Sequence, residues 1–115
     1  MILVIGGHAS GKKSYVRDVL GYKEADFCCD IQAPGPVLYA LQDLVAQAPE
    51  AAEELLPQLL TRDVVVCDEV GCGIVPASPQ ARRTREAVGR LCILLAQRAD
   101  KVVRLYCGIP TTIKE

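Results

Sequence analysis

Apolar positions along the chain fall into two kinds of run. Short, continuous and mostly branched runs occur at residues 2–5 (ILVI), 63–67 (DVVVC) and 102–107 (VVRLYC). A strand buried on both faces needs such a run, so these predict the strands of a parallel sheet. Between them, apolar residues recur every three to four positions, the period of a helix. Residues 12–20 place Val16, Val19 and Leu20 on one face and stop at Gly21, a natural helix C-cap. Leu38, Leu41, Leu44 and Val45 predict a helix over 37–48. A second helix is expected from Pro49, with Glu50, Glu53 and Glu54 in its early turns and Leu55, Leu56, Leu59 and Leu60 inward. Pro57 should kink or break it. Ser78 and Pro79 read as an N-cap and first-turn proline of a long helix to Arg98, with Val88, Leu91, Cys92, Leu95 and Ala99 as its buried stripe. A short strand is expected within 25–29, before the break Ala33-Pro34-Gly35-Pro36. Gly108-Ile109-Pro110 should end the last strand, leaving 111–115 as a tail.

Strands alternating with helices imply βαβ units. The expected fold is therefore α/β, a single domain over residues 1–115 with a small, mostly parallel sheet between helical layers. In such a sheet, ligands bind beyond the carboxyl ends of the strands. Three segments converge there: the loop 6–12, Asp68-Glu69, and Gly108-Ile109-Pro110.

The loop after the first strand reads Gly6-Gly7-His8-Ala9-Ser10-Gly11-Lys12-Lys13-Ser14. Strand, glycine-rich turn, lysine and helix are the parts of a nucleotide-binding P-loop, and give the domain a three-layer P-loop NTPase-like character. Glycines let consecutive N–H groups point inward at phosphate oxygens, and the helix start adds further donors. Lys12 is placed to reach the outer phosphates of ATP or GTP. The motif asks for Ser or Thr directly after this lysine, to hold Mg²⁺. Lys13 stands there, and Ser14 follows one residue late. Because helix positions differ by about 100° each, Ser14 is not a simple substitute. VVVC running into Asp68-Glu69 resembles a Walker B element. Its Asp can hold Mg²⁺ and its Glu can orient or deprotonate an acceptor. The metal candidates are thus Ser14 and Asp68, and the catalytic candidates Lys12 and Glu69. His8 is read as a loop-shaping side chain.

Composition narrows the partners. The chain has 115 residues and a formal charge of −1, so it offers no electrostatic argument for nucleic acid. No apolar run approaches the roughly 20 residues of a membrane span, and no signal peptide is read at the start, so a cytoplasmic protein is expected. The six cysteines include no Cys-x-x-Cys pair, and His8 is the sole histidine. Reduced thiols are expected; a zinc site from Cys28, Cys29, Cys67 and Cys72 is the alternative, with spacings that do not fit.

The run Asp68-Glu69-Val70-Gly71-Cys72-Gly73-Ile74-Val75-Pro76 is the most specific signal. With Gly6 to Lys12, Arg85-Glu86, Gly89-Arg90, Ala99 to Val102, Gly108 to Pro110 and Lys114, it resembles the bifunctional adenosylcobinamide kinase / adenosylcobinamide-phosphate guanylyltransferase family of cobalamin biosynthesis. The resemblance covers roughly residues 1–20 and 63–115. It implies phosphoryl transfer from ATP or GTP to a corrinoid side-chain hydroxyl, and a homo-oligomer. Several features depart from the family pattern. The family's middle region, with its own Walker B strand and the histidine that takes up GMP, has no counterpart in this reading; VVVC leads into the signature as if two strands were fused. No histidine follows His8, so guanylyl transfer is not expected. Asp68 replaces an Asn, Ala9 an Arg, and Lys13 the metal-binding Ser. The alternative is a degenerate relative that binds nucleotide or corrinoid as a regulatory or partner protein.

Overall fold

The computed structural model of the chain describes residues 1–7, 10–68 and 78–115. Its sheet has six strands: β1 (Ile2–Gly6), β2 (Phe27–Cys28), β3 (Val37–Leu38), β4 (Val64–Asp68), β5 (Lys101–Tyr106) and β6 (Ile109–Lys114). Their spatial order is β2-β3-β4-β1-β5-β6. All neighbours are parallel except β5 and β6. The helices are α1 (Lys12–Asp18), α2 (Leu41–Gln47), α3 (Leu56–Leu59) and α4 (Pro79–Arg98), with 3-10 segments at Glu24–Asp26 and Pro49–Leu55.

Strand alternation sorts the core into two clusters, one on each face of the sheet. Val4, Val64, Val66, Val103 and Leu105 pack with Tyr15 and Val16 of α1. Leu3, Val65, Cys67 and Val102 pack with Leu41 and Val45 of α2, Leu59 of α3, and Val88, Leu91 and Leu95 of α4. Helix, sheet and helices make three layers, and the fold is of the α/β P-loop type. The central strands are buried on both faces, which is why their sequences are continuous rather than alternating.

Two segments differ from the sequence expectation. Residues 37–48 are not one helix: Val37 and Leu38 form β3, paired to Val64 and Val65, and α2 begins only at Leu41. β3 is thus a separate strand beside β4. Ala40 makes the turn between them with φ 62°, a left-handed conformation that costs a residue with a Cβ about 1 kcal/mol. Residues 111–115 are not a tail either. Tyr106 pairs with Ile109, and the two intervening residues, Cys107 and Gly108, both have positive φ. That is the turn geometry that matches hairpin twist, so the chain folds back as β6. Pro110 is tolerated because β6 is an edge strand. Pro57 lies in the first turn of α3 and marks the change from the 3-10 segment rather than a kink within one helix.

Both ends of α4 are capped. Ser78 Oγ accepts from the Ala81 amide at 3.3 Å, and Lys114 Nζ donates to the carbonyls of Ala96 and Gln97 at 2.9 and 3.0 Å. Ser78→Ala should cost about 1 kcal/mol of stability in urea unfolding. An unchanged midpoint would show that the cap contributes nothing.

Candidate functional site

β1 lies between β4 and β5, and Gly6 pairs with both Asp68 and Leu105. The loop leaving β1 therefore opens beside the carboxyl end of β4. A Cβ on Gly6 would collide with Ser10 and come within 2.8 Å of the Leu105 carbonyl, so only glycine fits there. Gly11 adopts φ 91° and would set a Cβ 3.4 Å from the Gly108 Cα, while the Gly108 amide donates to the Ser10 carbonyl at 3.0 Å. The 10–12 segment and the β5–β6 turn thus meet, as expected for two of the three converging segments. In the third, Asp68 is at the site, whereas Glu69 and residues 70–77 lie outside the described residues, as do His8 and Ala9.

Lys12 is 5% exposed. Its ammonium donates to the Gly7 carbonyl at 2.6 Å and the Ser10 hydroxyl at 3.5 Å, and pairs with the Asp68 carboxylate at 2.7 Å. A buried ammonium needs such partners, because burying an isolated charge is prohibitive. Asp68 is in turn anchored through its backbone, whose N–H donates to Gln42 Oε1 at 3.0 Å.

These groups line a cavity of about 450 Å³. One wall is the loop and the start of α1, from Ser10 to Ser14; Tyr39, Ala40, Gln42, Asp43 and Asp68 form the other. The second wall is the part that the sequence reading missed. In the sequence, Tyr39 to Asp43 read as part of a leucine-rich packing helix. The available signal was the polar pair Gln42-Asp43 interrupting an apolar run.

Lys13 does not join Lys12. Its ammonium pairs with Glu24 at 2.5 Å and lies 5.5 and 5.6 Å from the ring centroids of Phe27 and Tyr39. The hydrogen bond to Glu24 raises the Lys13 pKa and lowers that of Glu24, so both are ionised at neutral pH. Lys13 therefore ties α1 to the 3-10 turn and the aromatic pair. Ser14 is exposed and lines the cavity.

Among the described residues, no three His, Cys, Asp or Glu side chains converge as metal ligands. Cys72 lies outside the described residues. Cys67 is buried, and a hydrogen bond with Cys92 together with desolvation pushes its thiol pKa up, so it behaves as a core residue. Among the described residues, no helix is long and apolar enough to cross a membrane.

Comparison with known proteins shows the family. A sequence model of the family "Cobinamide kinase / cobinamide phosphate guanyltransferase" matches residues 37–113, from β3 into β6. It thus includes the middle segment left out of the resemblance drawn above. The chain is also similar to the "Bifunctional adenosylcobalamin biosynthesis protein CobP" of Pseudomonas aeruginosa, with 34% identity over 65 residues. That alignment takes in 56% of this chain, and the chain spans 38% of the relative's length. The chain belongs to the cobinamide kinase / cobinamide phosphate guanyltransferase family.

Proposed function

We propose that residues 1–115 form one nucleotide-binding domain that transfers the terminal phosphoryl group of ATP or GTP to the side-chain hydroxyl of adenosylcobinamide. The observation that carries this reading is the buried Lys12 ammonium, held 2.7 Å from Asp68 in a cavity at the carboxyl end of the sheet. The segment Gly6, Gly7, His8, Ala9, Ser10, Gly11, Lys12, Lys13 and Ser14 supplies the phosphate cradle. Lys12 exchanges Asp68 for phosphate oxygens as nucleotide enters. In the reaction, the bond from the terminal phosphorus to its bridging oxygen breaks and a bond to the acceptor oxygen forms. Glu69 orients the acceptor hydroxyl and takes its proton.

Ser14 and Asp68 offer hard oxygen donors on the same cavity, a set suited to Mg²⁺, which takes one or two protein ligands along with phosphates and water. When bound, the ion neutralises charge on the phosphates. Guanylyl transfer through histidine is not part of the reading, since His8 is the sole histidine. We place the protein in the cytoplasm as a homo-oligomer, with no nucleic-acid partner and no membrane span.

A second reading, a regulatory or partner protein that binds nucleotide or corrinoid without turnover, is favoured by one observation: Lys13 occupies the hydroxyl position and is committed to Glu24. Turnover of Lys13→Ser with ATP, Mg²⁺ and cobinamide discriminates the two. The kinase reading predicts measurable Mg²⁺-dependent product from the wild type and about a tenfold gain in the variant, the scale of one added metal–oxygen contact. Product from the variant alone would make the natural protein a binder.

A further inference from the structure

We propose that the side-chain amide of Gln42 is a further phosphate-contacting group, donating from Nε2 to an outer phosphate oxygen of the nucleotide that Lys12 holds. The proposal rests on the nucleotide-binding reading above and goes beyond it by adding a residue from the opposite wall.

The orientation of the amide is settled by its partner. The Asp68 backbone N–H can only donate, so the atom facing it at 3.0 Å must be the Gln42 oxygen. A planar amide pinned through its oxygen has its nitrogen pinned as well. Among the described residues, nothing accepts from Nε2, which leaves two fixed donors on a half-buried residue that lines the cavity. Their place follows from the same chain of contacts. Gln42 holds Asp68, and Asp68 holds the Lys12 ammonium at 2.7 Å, so the amide sits at the lysine end of the cavity.

The wall around it is otherwise acidic, with Asp43 beside Gln42 on α2 and Asp68 at the end of β4. The carboxylates repel a phosphate, so the neutral donors of that wall, the Gln42 amide and the Tyr39 hydroxyl, are its groups suited to a phosphate oxygen, and of these the amide is the one bonded to Asp68. The strained turn at Ala40, φ 62°, is what takes the chain off β3 and starts α2 with Gln42 and Asp43 at the cavity. A donor already held in place costs no reorganisation when the anion arrives.

The test is calorimetric titration of ATP and of AMP into the wild type, Gln42→Glu, Gln42→Met and Lys12→Ala, with unfolding midpoints measured alongside. Gln42→Glu keeps the oxygen for Asp68 and loses the donors; Gln42→Met loses both without adding charge. Both should bind ATP about tenfold more weakly, the scale of one hydrogen bond to a charged group, while AMP affinity changes less than about threefold. Wild-type ATP affinity in Gln42→Glu overturns the proposal. So does an equal loss for ATP and AMP in both variants, which would reduce Gln42 to a support for Asp68. If Lys12→Ala weakens ATP binding and the Gln42 variants do not, Gln42 alone is overturned. If Lys12→Ala binds as the wild type does, or the wild type binds no ATP, the nucleotide reading falls and this proposal with it.

Discussion

Asp68→Ala should unfold well below the wild-type midpoint, at a cost of about 3 kcal/mol, because it strands the Lys12 ammonium without its carboxylate. Lys12 is 5% exposed, and its remaining partners are a carbonyl and a hydroxyl, neither of which carries charge. Asp68 is 27% exposed, so water reaches the gap and holds the loss to the lower end of what buried pairs show. For a chain of this size, that corresponds to a fall of about 10–15 °C in Tm. The decisive comparison is Lys12→Met combined with Asp68→Ala. Removing both charges leaves neither member of the Lys12–Asp68 pair stranded by the other, so the double variant should recover more than half of the lost stability. Losses that simply add would show that the two side chains are not energetically coupled.

Lys12→Ala should have the largest effect on ligand binding, lowering nucleotide affinity by about 100-fold, or about 2.7 kcal/mol. The lysine is already dehydrated and held by the loop that would bind phosphate, so little ordering remains to be done on binding. The Asp68 carboxylate, released from its pair, adds repulsion to the loss. Titration of ATP into the wild type and the variant measures this, with adenosine as a ligand that should be insensitive to the substitution. Equal ATP affinities in the two proteins would remove Lys12 from the site.

The parts of the fold that read directly from the sequence are those whose pattern is set by two-sided burial or by a long period. ILVI, VVVC and the VV of β5 sit between two apolar layers, and α4 carries a buried stripe of Val88, Leu91 and Leu95 with Ser78 and Pro79 at the helix start. β2 and β3 have two residues each, too few to establish any period. β3 exists because β4 presents it with a ladder, Val37 to Val64 and Leu38 to Val65, which is information carried by another segment. β6 was hidden by Pro110, which reads as a strand end unless the strand lies at an edge, and by Cys107, a left-handed residue that is not glycine.

The candidate site divides in the same way. Lys12 and Asp68 were readable because each follows a recognisable strand, and the register between Gly6 and Asp68 brings the two strands' ends together. The wall from Tyr39 to Asp43 was not, because Leu38, Leu41 and Leu44 satisfied a helical count that concealed the turn at Ala40. Lys13 is legible in the sequence as the departure from the motif. What the sequence could not convey was its destination, away from the phosphate cradle and onto Glu24, Phe27 and Tyr39.

Phosphoryl transfer without guanylyl transfer is open to one doubly controlled measurement. The wild-type protein is incubated with Mg²⁺, adenosylcobinamide and GTP labelled at either the γ- or the α-phosphate. Both the small-molecule and the protein fractions are then counted. The account predicts γ-label in cobinamide phosphate and no α-label on the protein. Bound nucleotide with no γ-label transferred, or α-label retained covalently on the chain, would contradict it.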